Sequence, residues 1–161
     1  MSPSGRDGRR GPQAPPADAR DPIAVFQVGG IVEGWIPRPE GRVSDELNQR
    51  RALRIHPANP DGTPGEAVEL DLDDVVAIAA APRPPSLVRA ARRQHAVTVS
   101  AGLYRVSGVA YLPLGADPSR YVASAGRRWM PMTGCTVVAG PDEWAVDVVI
   151  VNLDHVDRGA R

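Results

Sequence analysis

Apolar and polar residues alternate along most of the chain, in short runs separated by glycine and proline. Residues 23–28 and 31–36 are rich in β-branched and aromatic side chains and flank a glycine pair. Residues 52–56 alternate in the same way, and residues 67–80 alternate before they become continuously apolar. Alternation with a period of two indicates half-buried strands, and a continuous apolar run suits a strand that is covered on both faces. The first half of the chain is therefore predicted to be β-rich.

The second half of the chain has the same character. Residues 97–112 are predicted to form a long strand pair that is interrupted near Gly102. Residues 129–138 and 144–156 are predicted to be two further strands, separated by the turn-forming segment AGPDE.

Each half also contains one short polar segment that is predicted to be helical. These segments are residues 44–49 and 119–124, led by Ser44 and Ser119. A serine at the start of a helix can cap its free backbone N–H groups. In both segments an apolar residue three positions after the serine is expected to face inward.

These elements occur in the same order in the two halves. Gly34, inside a predicted strand of the first half, corresponds to Gly108 in the second. The closest match aligns residues 70–75 with residues 151–156, where both segments read apolar, Asp or Asn, Leu, Asp, any residue, Val. The sequence therefore predicts one unit that occurs twice with loop insertions. Chance similarity between two β-rich halves is the alternative.

A small sheet with one apolar face stays marginally stable until it closes or packs on a second sheet. Duplication would supply the second surface. We therefore expect a mainly β fold: a tandem duplication of a small twisted β-barrel or sandwich unit, each with one short helix, with the two repeats packed together. The predicted boundaries are a disordered N-terminal tail over 1–22, a first repeat over 23–80, a Pro-rich linker with a short basic helix over 81–96, and a second repeat over 97–158.

The tail is predicted from its composition. Residues 1–22 contain no aliphatic side chain larger than alanine apart from Met1. Such a segment cannot bury enough apolar area to offset an ordering cost of about 1–2 kcal/mol per residue. Disorder is therefore expected there.

Four segments carry a recognisable pattern: RVSDELN in the first half, and YRVSGVAYLP, RRWMPMTGCTVV and VVIVNLDHV in the second. They resemble a family of small bacterial β-rich proteins without an established activity. That family combines a strand with an internal Gly and a closing Pro, a Ser-Asp-x-Leu-Asn helix, an Arg-Phe-x-Pro-Leu-Thr strand and a Val-Asn-x-x-x-Val ending. The second half departs from the helix motif at Arg120 and Ala123, and the first half lacks the Pro-Leu-Thr strand. The resemblance implies two divergent copies, and the strand order is also similar to that of Sm-like small barrels.

The charge pattern narrows the classes of partner. The formal net charge is zero, and all 19 basic residues are Arg. A strongly electrostatic partner such as duplex nucleic acid is therefore not implied. Residues 23–80 carry ten acids and five Arg, whereas residues 81–96 carry four Arg and no acid. This division permits an intramolecular or subunit contact, although solvated faces are the more ordinary interpretation.

Few residues could carry catalytic or metal chemistry. No His-x-x-x-His, Cys-x-x-Cys or His-x-Glu spacing occurs, so neither a metal site nor a cofactor is predicted. Asp71 and Asp73 would share one face of a strand, which is more typical of a solvated surface than of a cation site. Cys135 could act as a nucleophile beside His155, but no third, orienting group is evident. A half-buried strand cysteine is the simpler interpretation, and the chain is predicted not to be an enzyme.

The leading hypothesis is a non-catalytic interaction or regulatory module that binds a protein partner or forms a homo-oligomer. The alternative is a weak single-stranded RNA binder built on an Sm-like barrel, because cations next to aromatic side chains can stack on bases. Its candidate residues are Arg120, Tyr121, Arg127, Arg128 and Trp129.

The location is predicted from what the sequence lacks. Its first residues do not resemble a signal peptide, and no apolar run approaches the roughly 18 residues of a membrane span. A cytoplasmic protein without a membrane partner is expected.

Overall fold

The computed structural model describes residues 20–82, 92–123 and 128–158. Nine strands within these ranges form one antiparallel sheet. The strands are β1 (Arg20–Gln27), β2 (Gly30–Pro37), β3 (Ala52–Pro57), β4 (Val68–Asp71), β5 (Val75–Ala80), β6 (Arg92–Ala101), β7 (Tyr104–Pro113), β8 (Trp129–Ala139) and β9 (Asp142–Asn152). The helices are α1 (Val43–Leu47) and α2 (Pro118–Ala123), and two 3-10 turns cover Leu72–Asp74 and Leu153–His155.

The order of strands across the sheet is β4-β3-β2-β1-β5-β9-β8-β7-β6. The two halves meet where β5 pairs with β9, from Ala77 opposite Val151 to Ala80 opposite Val148. The predicted mainly β fold is thus confirmed. The predicted barrels and two-sheet sandwich are wrong, because this pairing joins the halves edge to edge in one sheet that does not close.

Two apolar cores lie on opposite faces of the central strands. In β1, the neighbouring residues Val25 and Phe26 belong to different cores, as successive residues of a strand point to opposite faces. The core of the first half contains Ile55 and Leu72, and that of the second half contains Val106. Each half therefore builds its core on its own side of the shared sheet.

Each core also receives side chains from the other half. Trp129 and Ile150, from β8 and β9, are buried in the core of the first half. Phe26 and Val76, from β1 and β5, are buried in the core of the second half, where the Phe26 ring meets the Tyr104 ring edge-on at 5.3 Å. Burial of large side chains across the boundary supports folding of the two halves as one cooperative body.

The presence of glycine at positions 34 and 108 has a steric explanation. A Cβ on Gly34 would overlap the backbone carbonyl of His56 on β3. A Cβ on Gly108 would lie 2.7 Å from Cys135 Sγ and 3.0 Å from the carbonyl oxygen of Thr133, both on β8. Glycine therefore lets the neighbouring strand approach closely at both positions.

Two strands begin before the apolar runs of the sequence because their pairing continues into polar residues. β1 begins at Arg20, inside the predicted tail, where Arg20 pairs with Pro37 and its guanidinium lies 5.2 Å from the Trp35 ring. β6 begins at Arg92, inside the predicted linker, because it pairs with β7 out to Pro113. Most of the predicted tail, and the first part of the predicted linker helix, lie outside the described residues.

Two predicted strands are also shorter than expected. Residues 67–80 and 144–156 are each broken by a 3-10 turn. The Asp71 carboxylate accepts the Asp73 N–H at 2.9 Å, and Asn152 Oδ1 accepts the Asp154 N–H at 3.1 Å. These side chains satisfy the turns locally, which competes with extension of the strand.

The prediction that Ser44 and Ser119 cap the two helices is wrong. Ser44 lies inside α1 and is buried, and the residue that precedes the helix, Arg42, makes no side-chain cap bond. α2 begins at Pro118, and Asp117 accepts the Arg120 N–H at 2.9 Å. Aspartate followed by proline is a favourable helix start, which explains why Asp117 replaces Ser119 in the predicted role.

Candidate interaction edge

Within the described ranges, the outer edge of β6 is open over most of its length. β6 pairs with β7 from Arg92 opposite Pro113 to Ala101 opposite Tyr104. On its other side, the described part of the chain supplies only an isolated bridge between Ala101 and Val156 and a 2.8 Å bond from the Asp157 N–H to the Ser100 carbonyl. The edge before Ser100 thus has no strand partner among the described residues.

The hairpin between β6 and β7 determines which backbone groups face outward. Ala101 and Tyr104 close a two-residue turn that includes Gly102 at φ +58°. The closing pair of such a hairpin is hydrogen-bonded, and bonded residues then alternate along the strand. Val97 and Val99 accordingly bond to β7, while the N–H and C=O groups of Ala96 and Thr98 point outward.

The first half shows how such an edge is covered. β1, the first strand of that half, pairs with β2 on one side and with β5 on the other, from Ile23 opposite Ala80 to Gln27 opposite Val75. In the second half, Val156, the residue after the 3-10 turn, forms one isolated backbone bridge to β6, at Ala101. β6 therefore lacks, in the described ranges, the second neighbour that β1 has.

The side chains of β6 leave this edge accessible. Ala96, Thr98 and Ser100 are small and exposed, whereas Val97 and Val99 are buried. The formal charges of the strand are confined to Arg92 and Arg93, and the strand contains no proline. Charges, proline and bulges are the usual means of protecting an edge strand, and the middle of β6 has none of them.

The opposite end of the sheet is protected. β4 has only four residues, and two of them, Glu69 and Asp71, are exposed carboxylates. Short length and charge both discourage pairing with another chain. The two ends of the sheet are therefore chemically different.

A buried amide connects the two 3-10 turns at the boundary between the halves. Asn152 is fully buried, and its Nδ2 donates to the carbonyl oxygens of Val75 at 2.8 Å and Leu72 at 3.3 Å. Its Oδ1 accepts the Asp154 N–H. Because the amide groups are paired, they stabilise this boundary without an unsatisfied buried polar atom.

Charged groups lie around the same boundary. Arg128 Nη2 bonds to Asp73 Oδ1 at 2.5 Å, and Arg128 Nε lies 3.2 Å from Asp154 Oδ2 without hydrogen-bond geometry. His155 Nε2 lies 2.6 Å from the Asp73 carbonyl oxygen, which requires this nitrogen to carry a proton. A cavity of about 540 Å³ opens here between Arg51 and Arg128. Since opposite charges already pair across it, its lining favours no one class of ligand.

The described residues of the RNA hypothesis lie in different surroundings. Trp129 is only 1% exposed and lies in the core of the first half. Arg128 is engaged in the ion pairs above, and Tyr121 packs partly against the core of the second half. Arg120 lies exposed on α2, and Arg127 falls outside the described residues. In this arrangement the indole of Trp129 is inaccessible to a base.

Cys135 and His155 lie in different surroundings. Cys135 is buried on β8 against Gly108, and this burial raises the pKa of its thiol, which disfavours the thiolate. His155 lies on the second 3-10 turn with its ring on the Asp73 backbone. A nucleophile needs a base within hydrogen-bond reach, and these contacts give Cys135 none.

The acidic residues after β4 also differ from the prediction. Asp71 ends β4 and caps the turn, whereas Asp73 lies within the turn, so the two do not share a strand face. Nowhere in the described ranges do three or more His, Cys, Asp or Glu side chains gather so as to hold a metal ion.

The open edge of β6 was not predicted from the sequence, although a signal was present. Val75 is followed by the apolar residues of β5, whereas Val156 is followed by Asp157 and Arg158. This difference between the residues after Val75 and those after Val156 is the signal that distinguishes the edge of β6 from that of β1.

Comparisons with known proteins give no relative: no protein-family model, curated protein or solved structure matches the chain.

No helix in the described part of the chain is long and apolar enough to cross a membrane.

Proposed function

We propose that the chain is a non-catalytic protein-binding module, built from two copies of one β-rich unit, that binds an extended segment beside β6. The observation that carries this proposal is the open edge of β6, since its counterpart in the first half, β1, is covered by β5. Addition of a strand to such an edge is a recurrent mode of peptide recognition.

Corresponding backbone bonds support the duplication. The Leu72 N–H donates to the Arg51 carbonyl at 3.0 Å, and the Leu153 N–H donates to the Arg128 carbonyl at 2.6 Å. In both cases the acceptor directly precedes the third strand of its half, and the donor begins the 3-10 turn. The two bonds thus join corresponding positions of the proposed copies.

A second pair of bonds follows the same rule. The Val28 N–H donates to the Asp74 carbonyl, and the Gly102 N–H donates to the His155 carbonyl, both at 3.3 Å. The acceptors end the two 3-10 turns, and the donors follow the first strands of the two halves. Together with the shared order of strands, these bonds favour repetition over chance similarity.

The proposed partner segment lies antiparallel to β6, as β5 does to β1. Its backbone would bond to the outward N–H and C=O groups of Ala96 and Thr98. On the inner face its side chains would lie beside Val97 and Val99, at the border of the core of the second half. The backbone hydrogen bonds would supply affinity. The side chains of the partner, which alternate between the two faces of the sheet, would supply selectivity.

A peptide with the β5 sequence VVAIAA, flanked by polar residues and labelled with a fluorophore, tests the proposal by anisotropy titration. The parent chain should bind it saturably. Ala96→Pro should abolish binding, because proline removes an outward N–H while leaving the bonds to β7 intact. Ala96→Thr, which retains that N–H, is the matched control and should bind. Equal binding by both variants, or none by the parent chain, would refute the proposal.

A further inference from the structure

We infer that the segment that pairs with β6 is β6 of a second copy of this chain, related by a two-fold axis. This inference rests on the proposed function and names its partner. An antiparallel strand pair is compatible with two-fold symmetry, because each strand presents the same edge to the other. The two sheets then join into one continuous sheet with β4 at both ends.

The outward groups of β6 suit this pairing. With the axis at Ala96, Gln94 of one copy lies opposite Thr98 of the other, and the two Ala96 residues face each other. This register forms about six backbone hydrogen bonds between the copies. The central exposed side chains, Ala96 and Thr98, are small enough to lie side by side.

The charges on β6 do not oppose this arrangement. Residues 94–101 contain no Asp, Glu or Arg, and His95 is the one titratable side chain among them. Arg92 and Arg93 lie at one end of the strand, so an antiparallel pair separates the two sets of arginines. The whole chain has a formal net charge of zero, and long-range repulsion between copies is correspondingly weak.

The other edge combinations are less favourable. Two β4 strands would bring the exposed carboxylates of Glu69 and Asp71 from both copies together. A head-to-tail contact between β4 and β6 is limited by the four residues of β4, and it would leave a free edge at each end and generate open chains. Pairing of β6 with β6 uses the longer edge and closes at the dimer.

Sedimentation velocity of the full chain over a range of concentrations tests the inference. A contact through one strand is small, so a dimer that dissociates on dilution is expected. The average mass of the parent chain should rise from 17.1 kDa to twice this value. Ala96→Pro should remain at the monomer mass, and Ala96→Thr should dimerise. A mass that rises beyond the dimer, or a dimer that persists in Ala96→Pro, would overturn the inference.

Amide hydrogen exchange of the parent chain tests the pairing of β6 with β6 without a variant. As the protein concentration rises, amide exchange at Ala96 and Thr98 should become slower. Exchange at Val97 and Val99 should be slow at every concentration. If the chain stays monomeric and these rates stay constant, but the β5 peptide still binds, self-pairing is wrong and the proposed function stands. If the peptide does not bind either, both are wrong.

Discussion

Asn152 donates its buried side-chain amide to the backbone carbonyl of Val75, and this bond links the last residue of β9 to the first residue of β5. When residues 70–75 are aligned with residues 151–156, Asp71 stands opposite Asn152, and Asp71 is exposed. Both side chains accept an N–H of their own 3-10 turn. Asn152 also donates its amide to the Val75 carbonyl, which a carboxylate could not do. The difference between Asp and Asn at these positions therefore follows from their surroundings.

Exchanging the two residues tests this explanation. Asn152→Asp buries a carboxylate against two carbonyl oxygens and should lower the free energy of unfolding by about 2 kcal/mol or more. Asp71→Asn keeps the acceptor at an exposed site and should change it by less than about 0.5 kcal/mol. Urea denaturation of both variants measures the difference, and equal losses would contradict the assignment.

Trp129 should matter for stability. It is buried in the core of the first half although it belongs to β8 of the second. Trp129→Ala should cost about 3–5 kcal/mol, because the cavity it leaves lies between the two halves. Trp129→Phe should cost much less, since the indole Nε1 has no hydrogen-bond partner among the described residues. Thermal unfolding compares the variants, and a Trp129→Ala chain as stable as its parent would contradict this placement.

The paired glycines should differ in their tolerance of alanine. Gly34→Ala meets a backbone carbonyl, whereas Gly108→Ala first meets the Cys135 side chain. Gly34→Ala should therefore be the more destabilising change, because a backbone group yields less readily than a side chain. Cys135→Ala should recover part of the stability lost in Gly108→Ala and none of that lost in Gly34→Ala. Chemical denaturation of the double variants measures this coupling.

Stability should decrease at alkaline pH. Burial raises the pKa of Cys135 above its ordinary value of 9.0 and that of Tyr104 above 10.0. Their neutral forms are thus favoured in the folded state, and the resulting stability is present below these ordinary values and is lost as the pH rises past them. Cys135→Ala should flatten the decrease that begins near pH 9. An unchanged pH profile for this variant would contradict the role of the thiol.

Local patterns predicted most of the strands because half-buried strands alternate visibly. They did not predict the break between β4 and β5, since it depends on a side-chain bond from Asp71 that replaces strand pairing. The local pattern also predicted a start of β6 at residue 97, whereas the strand begins at Arg92. Arg92 and Arg93 are polar residues that pairing with β7 holds in the strand. In both cases a specific contact outweighs the hydrophobic pattern.

The sequence pattern could not predict which strands pair when they lie far apart in the chain. The contact of β5 with β9 joins segments far apart in the chain, and β5 is apolar enough to suit several neighbours. For the same reason, Trp129 appeared as an aromatic side chain next to cations although it is a core residue of the opposite half. The candidate edge of β6 follows from this topology and so became visible only in the structure.

Residue-resolved hydrogen exchange in a dilute sample, with and without the β5 peptide, tests the central claim most directly. An open edge predicts fast exchange at Ala96 and Thr98 beside slow exchange at Val97 and Val99, with the fast amides slowed when the peptide is added. Slow exchange at all four amides in the dilute chain alone would mean that the edge is already covered, and would contradict the account.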